Sequence, residues 1–296
     1  MQLVFLGTTC MTPTKERNHI ATLLLYEKEG ILIDCGEGTQ RQLKLADVKL
    51  TKVTKILISH WHGDHVLGLP GLMQSLGASD YNRTLDVYGP VGTTERVNAM
   101  LKPYVFYNKI DFKVHECEEG IFVDEEKYQL EARRLEHGIQ TLGFSFIEKD
   151  RRKINLAVTK KVGIPEGPLL GKLQDGKSVT FKGKNITPEE ATYAVKGKKI
   201  SFISDTVLCK GCYDLARNAD VLVCEAAYTS ALEEKAAEYR HMTAKQAGLI
   251  ASQSNIGRLI LTHFSARYKD TSELEEDAKQ VFQNVSCAFD LMKVKI

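Results

Sequence analysis

Residues Lys55 to His65 read KILISHWHGDH, and the fold is decided here. KILI is a short apolar run of strand character. The seven residues after it, Ser59 to His65, hold three of the chain's eight histidines and one aspartate. Imidazole and carboxylate are the ligand types of zinc and similar divalent ions, and each must approach to about 2.0–2.2 Å. A glycine-containing turn just past a strand lets His60, His62, Asp64 and His65 converge. The adjacent pair Asp64 and His65 points away from the His60, His62 pair, so two ions fit this turn more simply than one.

The same grammar recurs downstream. RRLEH ends in His137, KISFISD in Asp205 and RLILTH in His263. Strands aligned in a common direction would bring all three to one edge, where α/β folds commonly place their sites. Asp205 is the natural bridge because a carboxylate has two oxygens. His60, His62, Asp64, His65, His137, Asp205 and His263, with a shared water, give each of two ions about five ligands. Taken singly, His137 or His263 would be read as a packed or surface histidine; the cluster changes that weighting.

Around this site, β-rich runs alternate with helical patterns. QLVFLG, TLLLYEK, GILIDCG, KILISH, LDVYG, RRLEH, LGFSFIEK, KISFISD, VLVCEA, RLILTH and FDLMKVKI read as strands. Helices are expected over 71–77, 93–101, 231–239, 243–252 and 272–283. Thr243 with Gln246, and Ser272 with Glu275, each fit a capping box. The alternation predicts an α/β protein with strands inside and helices outside. No repeat or low-complexity tract interrupts it.

Residues 149–188 break the pattern. Pro165, Gly167, Pro168, Gly171 and Gly176 crowd together, with little periodicity before residue 177, so 149–176 is expected to be an irregular arm inserted in a single domain spanning 1–296. Between Lys149 and Lys184 stand ten Lys or Arg and three acids, a local +7 in a chain of net charge +2. Such an excess beside a metal site suits a polyanionic substrate. The chain's 296 residues, 43% of them hydrophobic, have an ordinary globular composition, with no apolar run long enough for a membrane span and no signal-peptide pattern at MQLVFLG. Seven scattered cysteines do not suggest a disulfide framework, and the expectation is a cytoplasmic protein. CKGC at 209–212 is half a zinc site, a redox pair or two ordinary thiols; with no second pair in view, it is read as ordinary thiols.

HxHxDH followed by His, Asp and His at strand ends resembles the metallo-β-lactamase superfamily, whose fold is an αββα sandwich of two sheets flanked by helices. FLGTTCMTPTKERN, IDCGEGTQRQL, SDT at 204–206, CEAAY at 224–228, HMT at 241–243 and THFSARY at 262–268 resemble one branch of it, ribonuclease Z, from end to end. The resemblance implies a zinc-dependent endoribonuclease, with two Zn²⁺ per subunit or Mn²⁺ or Mg²⁺ in their place. It would cut precursor tRNA after the discriminator nucleotide, leaving a tRNA 3′-hydroxyl and a 5′-phosphate trailer. It further implies a homodimer, no membrane association, Asp64 as the proton-handling carboxylate, and His241 held by Glu225 as donor to the leaving oxygen. His241 also precedes a helix start, which suits a phosphate.

Substrate contacts are expected from Lys15 and Arg17 in TKERN, and from Arg267 in HFSARY. More are expected from an arm in which GIPEGPLLGKL, with Gly167 and Pro168, is flanked by Arg151, Arg152, Lys153, Lys160 and Lys161. One departure is plain: where the family has His-Glu-Ala-Thr, this chain has Cys224-Glu225-Ala226-Ala227, so the dyad is expected to be supported differently. His19 and His115 are read as structural. Two other readings stay open at this point: a dinuclear hydrolase of a small phosphodiester or ester, and an RNA-binding protein without catalysis.

Overall fold

In QLVFLG the side chains alternate between two apolar environments. Leu3 and Phe5 face one core, and Val4 and Leu6 another, all fully buried. A strand apolar on both faces needs a layer on each side, and the computed structural model, which describes residues 1–106 and 109–296, has that arrangement. Two seven-stranded sheets pack face to face, with helices on both outer faces, as the αββα expectation requires.

In spatial order, the first sheet consists of Lys293–Lys295, Gln2–Gly7, Ala21–Tyr26, Glu29–Ile33, Val53–Leu57, Leu85–Gly89 and Phe112–Glu116. The second consists of Val285–Cys287, Arg258–Thr262, Val221–Glu225, Lys199–Ile203, Gln140–Glu148, Tyr128–Glu136 and Gly120–Asp124. Phe5, Leu24, Phe144, Phe146, Phe202 and Ile260 fill the space between the sheets. Thr39–Leu45 and Leu69–Gly77 cover the first sheet, and Lys210–Ala216, Ala244–Gln253 and Ser272–Lys279 cover the second.

Strand direction makes the site. Glu29–Ile33, Val53–Leu57 and Leu85–Gly89 are mutually parallel, as are Lys199–Ile203, Val221–Glu225 and Arg258–Thr262. Tyr128–Glu136 shares the latter direction because two antiparallel pairings separate it from Lys199–Ile203. The residues after these strands therefore emerge at one edge of the sandwich.

Three expectations need correction. Phe112–Glu116, Gly120–Asp124 and Val285–Cys287 are strands where none is expected; each lies at a sheet edge and has five residues or fewer, too short for a clear alternation. Ser272 does not form a capping box: Thr271 takes the cap position, Ser272 donates to Asp270, and Glu275 accepts from Lys279 and from the Cys287 amide. Thr243 does form one with Gln246.

The third correction is the arm, which is not irregular. Residues 151–195 contain the strand pair Arg151–Ile154 with Thr192–Val195, helices Leu156–Val162 and Pro168–Gln174, the hairpin Val179–Phe181 with Lys184–Ile186, and the turn Pro188–Ala191. The folded unit thus runs well past residue 176. It has its own small core of Ile164, Leu173, Val179, Ile186 and Ala191. The prolines and glycines mark the ends of short helices: Gly163, at φ 79°, stops the first, and Pro168 opens the second.

Candidate metal centre

Each ligand-type residue follows a strand of the shared edge. His60 and His65 follow Val53–Leu57, His137 follows Tyr128–Glu136, Asp205 follows Lys199–Ile203, and His263 follows Arg258–Thr262 in a left-handed conformation (φ 59°). The HGDH turn sits tightly on the segment Cys35–Gly36. A Cβ on Gly36 would lie 2.5 Å from the Asp64 carbonyl oxygen, so only glycine allows that approach.

The side chains form two groups. In one, His60 Nε2 lies 3.1 Å from His62 Nδ1, which lies 3.3 Å from His137 Nε2. Asp205 Oδ2 completes it, 3.7 Å from His60 Nε2 and 3.8 Å from His137 Nε2. In the other, Asp205 Oδ1 is 3.4 Å from His65 Nε2 and 3.3 Å from His263 Nε2, and Asp64 Oδ2 is 3.5 and 3.6 Å from the same two nitrogens. Atoms spread around one ion at about 2.0–2.2 Å stand roughly 3–3.5 Å apart, so both groups have the spacing of a ligand shell. Asp205 turns one oxygen to each. Buried His65 Nε2 and both ring nitrogens of His263 have no hydrogen-bond partner among the described residues. Such nitrogens are costly to bury unless something binds them. The donor set fits two divalent ions.

Electrostatics agree with a site built for positive charge. Burial works to raise the Asp64 and Asp205 carboxyls, but the histidines around them overcome it and hold both well below the carboxylate range. Burial works to lower His65, yet Asp205 and Asp34 lift it to about 10, and His263 is lifted in the same way by Asp205. His60 and His62 stay below the ordinary histidine value, chiefly by burial. In the protein alone, protons on His65 and His263 balance the carboxylates, where bound cations would otherwise do so.

The chain is 40% identical to a ribonuclease Z of Methanothermobacter thermautotrophicus over 297 residues, covering 100% of this chain and 97% of the relative. The chain belongs to the ribonuclease Z family. The crystal structure of human tRNase Z, short form, is similar with a TM-score of 0.71 and 30% identity, covering 100% of this chain and 99% of that one. The metallo-β-lactamase fold protein YhfI of Bacillus subtilis has a TM-score of 0.71 at 16% identity, covering 99% and 98%, and bears on the fold alone. A family model described as anti-Pycsar protein Apyc1 matches residues 1–157, the half with the HGDH turn and His137.

The second carboxylate–histidine pair expected from ribonuclease Z also meets here. His241 Nδ1 lies 3.1 Å from Glu225 Oε1, and the Thr206 amide donates to the same oxygen at 2.7 Å. Burial opposes protonation of His241, but Glu225, the Cys10 contact and Asp205 raise it to about 11. The departure at Cys224 does not touch this pair. Along a strand successive side chains alternate, so Cys224 turns into the apolar layer under the helices while Glu225 turns to the site.

Sequence reasoning passes over several neighbours. Asp34 accepts hydrogen bonds from the Ser59 amide at 2.8 Å and Ser59 Oγ at 2.9 Å, and its Oδ2 lies 2.8 Å from His65 Nδ1. Its signal is present, since Asp34 follows the strand GILI just as Asp205 follows KISFI. The Met11 amide, in a left-handed turn, donates to Asp64 Oδ2 at 2.9 Å, and His19 Nε2 lies 3.1 Å from the Met11 carbonyl. Cys10 Sγ is 3.9 Å from His241 Nε2. No pattern in the sequence marks these loop contacts. His115 pairs with Asp86 at 2.8 Å, away from the site.

Among the expected substrate contacts, Arg17 needs correction. Its guanidinium is buried, donates to the Tyr268 carbonyl and lies over the Phe264 ring, so it ties TKERN to HFSARY instead of facing solvent. Lys15 is exposed, and exposed Arg267 stacks on Tyr228 with 5.0 Å to the ring centroid. On the arm, Arg151 and Arg152 pair with Glu148 and Glu189. Lys153, Lys160, Lys161, Gly167 and Pro168 are exposed. Among the described residues, no helix is long and apolar enough to cross a membrane.

Proposed function

We propose that this protein is a metal-dependent endoribonuclease that removes the 3′ trailer of precursor tRNA after the discriminator nucleotide. The observation that carries the reading is full-length similarity to ribonuclease Z together with two ligand groups that Asp205 approaches with one oxygen each. His60, His62, His137 and Asp205 would hold one ion; Asp64, His65, His263 and Asp205 would hold the other. Two Zn²⁺ per subunit suit this nitrogen-rich donor set. When bound, such ions lower the pKa of water and neutralise phosphate oxygens.

The chain's own groups supply the rest. Asp64, steadied by the Met11 amide, is the carboxylate placed to accept the proton of the attacking water. His241, held by Glu225, delivers a proton to the leaving ribose 3′-oxygen and is protonated at neutral pH. That leaves a 3′-hydroxyl on the tRNA and a 5′-phosphate on the trailer. Lys153, Lys160 and Lys161 give the arm a basic surface that grips phosphates by charge and shape without reading sequence. The protein acts in the cytoplasm as a homodimer.

End-mapping of the products from one 3′-extended precursor tRNA, cut by the metal-loaded protein, tests the reading. A single cut after the discriminator nucleotide is expected; scattered cuts, or none, would sink it.

A further inference from the structure

CKGC at 209–212 is not absorbed by the metal centre. In the folded chain, Cys209 Sγ and Cys212 Sγ stand 3.6 Å apart, and the Cys212 amide closes the turn on the Cys209 carbonyl at 3.2 Å. Cys212 is fully buried and Cys209 is 8% exposed, so Cys209 is the more accessible of the two residues. We infer that Cys209 and Cys212 form a redox site, closing to a disulfide under peroxide and reopening under thiol reductants. The inference goes beyond the nuclease reading, although its effect on turnover rests on that reading.

The contact is already that of two sulfurs in van der Waals range, and a disulfide needs about 2.05 Å. Closure therefore asks for a shift of roughly 1.5 Å within a four-residue turn, without any rearrangement of the fold. The Cys212 contact favours the Cys209 thiolate, bringing it down to about 6, and the thiolate is the reacting form. In the first step Cys209 sulfur attacks hydrogen peroxide, breaking its O–O bond to give a sulfenic acid and water. In the second, Cys212 sulfur attacks the sulfenic sulfur, a second water leaves, and the dithiol has lost two electrons and two protons overall.

The pair adjoins the metal centre through Thr206. Cys209 Sγ lies 3.7 Å from Thr206 Oγ1; the Thr206 amide holds Glu225; and Thr206 follows Asp205 in the chain. The Thr206 hydroxyl also accepts from the Glu136 amide at 2.9 Å, next to His137. Pulling Cys209 toward Cys212 moves the loop that positions the Asp205 bridge and the Glu225 anchor. Oxidation thus lowers cleavage.

The test exposes the full chain to hydrogen peroxide, then alkylates free thiols and maps peptides by mass. The peptide carrying residues 209–212 is expected to lose two hydrogens, to resist alkylation and to recover both thiols with dithiothreitol. Precursor-tRNA cleavage should fall by up to about 100-fold, the cost that a misplacement of about 1 Å can carry at a catalytic site, and return on reduction. Cys209→Ser, and Cys212→Ala as an apolar replacement for the buried sulfur, should each keep cleaving through the same treatment. Absence of the disulfide at peroxide levels that oxidise Cys10 would overturn the site. An equal loss of activity in C209S would place the sensitivity elsewhere, and a disulfide that leaves cleavage unchanged would remove the coupling. If the reduced protein cuts no precursor tRNA, the nuclease reading fails while the peptide map still decides the thiol pair.

Discussion

Glu225 has no solvent exposure, and a buried carboxylate without a partner would cost several kcal/mol. It is answered by the Thr206 amide and by His241, an arrangement that leaves the histidine protonated. Replacing His241 by Ala should therefore lower single-turnover cleavage by about 10²- to 10⁴-fold, while metal analysis finds the ion content unchanged. A loss of metal together with activity would show that His241 is a ligand. Asp34 acts one step further out, by fixing the ring of His65. Asp34→Asn should weaken metal affinity by about 10- to 100-fold, read by chelator competition. Asp34 is legible in principle, because it obeys the same strand-end rule as Asp205. The Met11 and Cys10 contacts are not, because they depend on where a loop folds back.

The arm is the element where local reading and structure part. Proline and glycine suggest an absence of structure, yet here they delimit helices of seven residues each, whose apolar faces meet in a core too small to produce clear periodicity. Leu173, fully buried in that core, is its keystone. Leu173→Ala should destabilise the arm by about 2–5 kcal/mol, seen as faster hydrogen exchange across 151–195 with the sandwich unaffected. Removing Lys153, Lys160 and Lys161 together should raise KM for precursor tRNA and flatten the dependence of log K on log salt by about two units. Hydrolysis of a small phosphodiester should be unchanged by the triple variant. If it falls as far as tRNA cleavage, these lysines are not substrate contacts.

Across the whole molecule, the metal centre joins both sheets, so ion binding and folding are linked. His65 is raised to about 10, so at neutral pH it carries a proton that a cation must displace. Apparent metal affinity should therefore climb as pH rises toward 10. Calorimetry in buffers of different ionisation enthalpy should detect the released protons; an affinity independent of pH would contradict this. In the metal-free protein the sign is opposite: the His65 contribution to stability is complete below about pH 6.5 and is lost as pH rises through about 10. By itself the sequence determined the layered α/β plan and the identity of the ligand-type residues, because strand periodicity and the chemistry of strand ends are local properties. Tertiary structure alone decided that Arg17 is buried, that the arm has a core, and that two cysteine sulfurs meet. These depend on side-chain directions and on long-range packing, which no local pattern encodes.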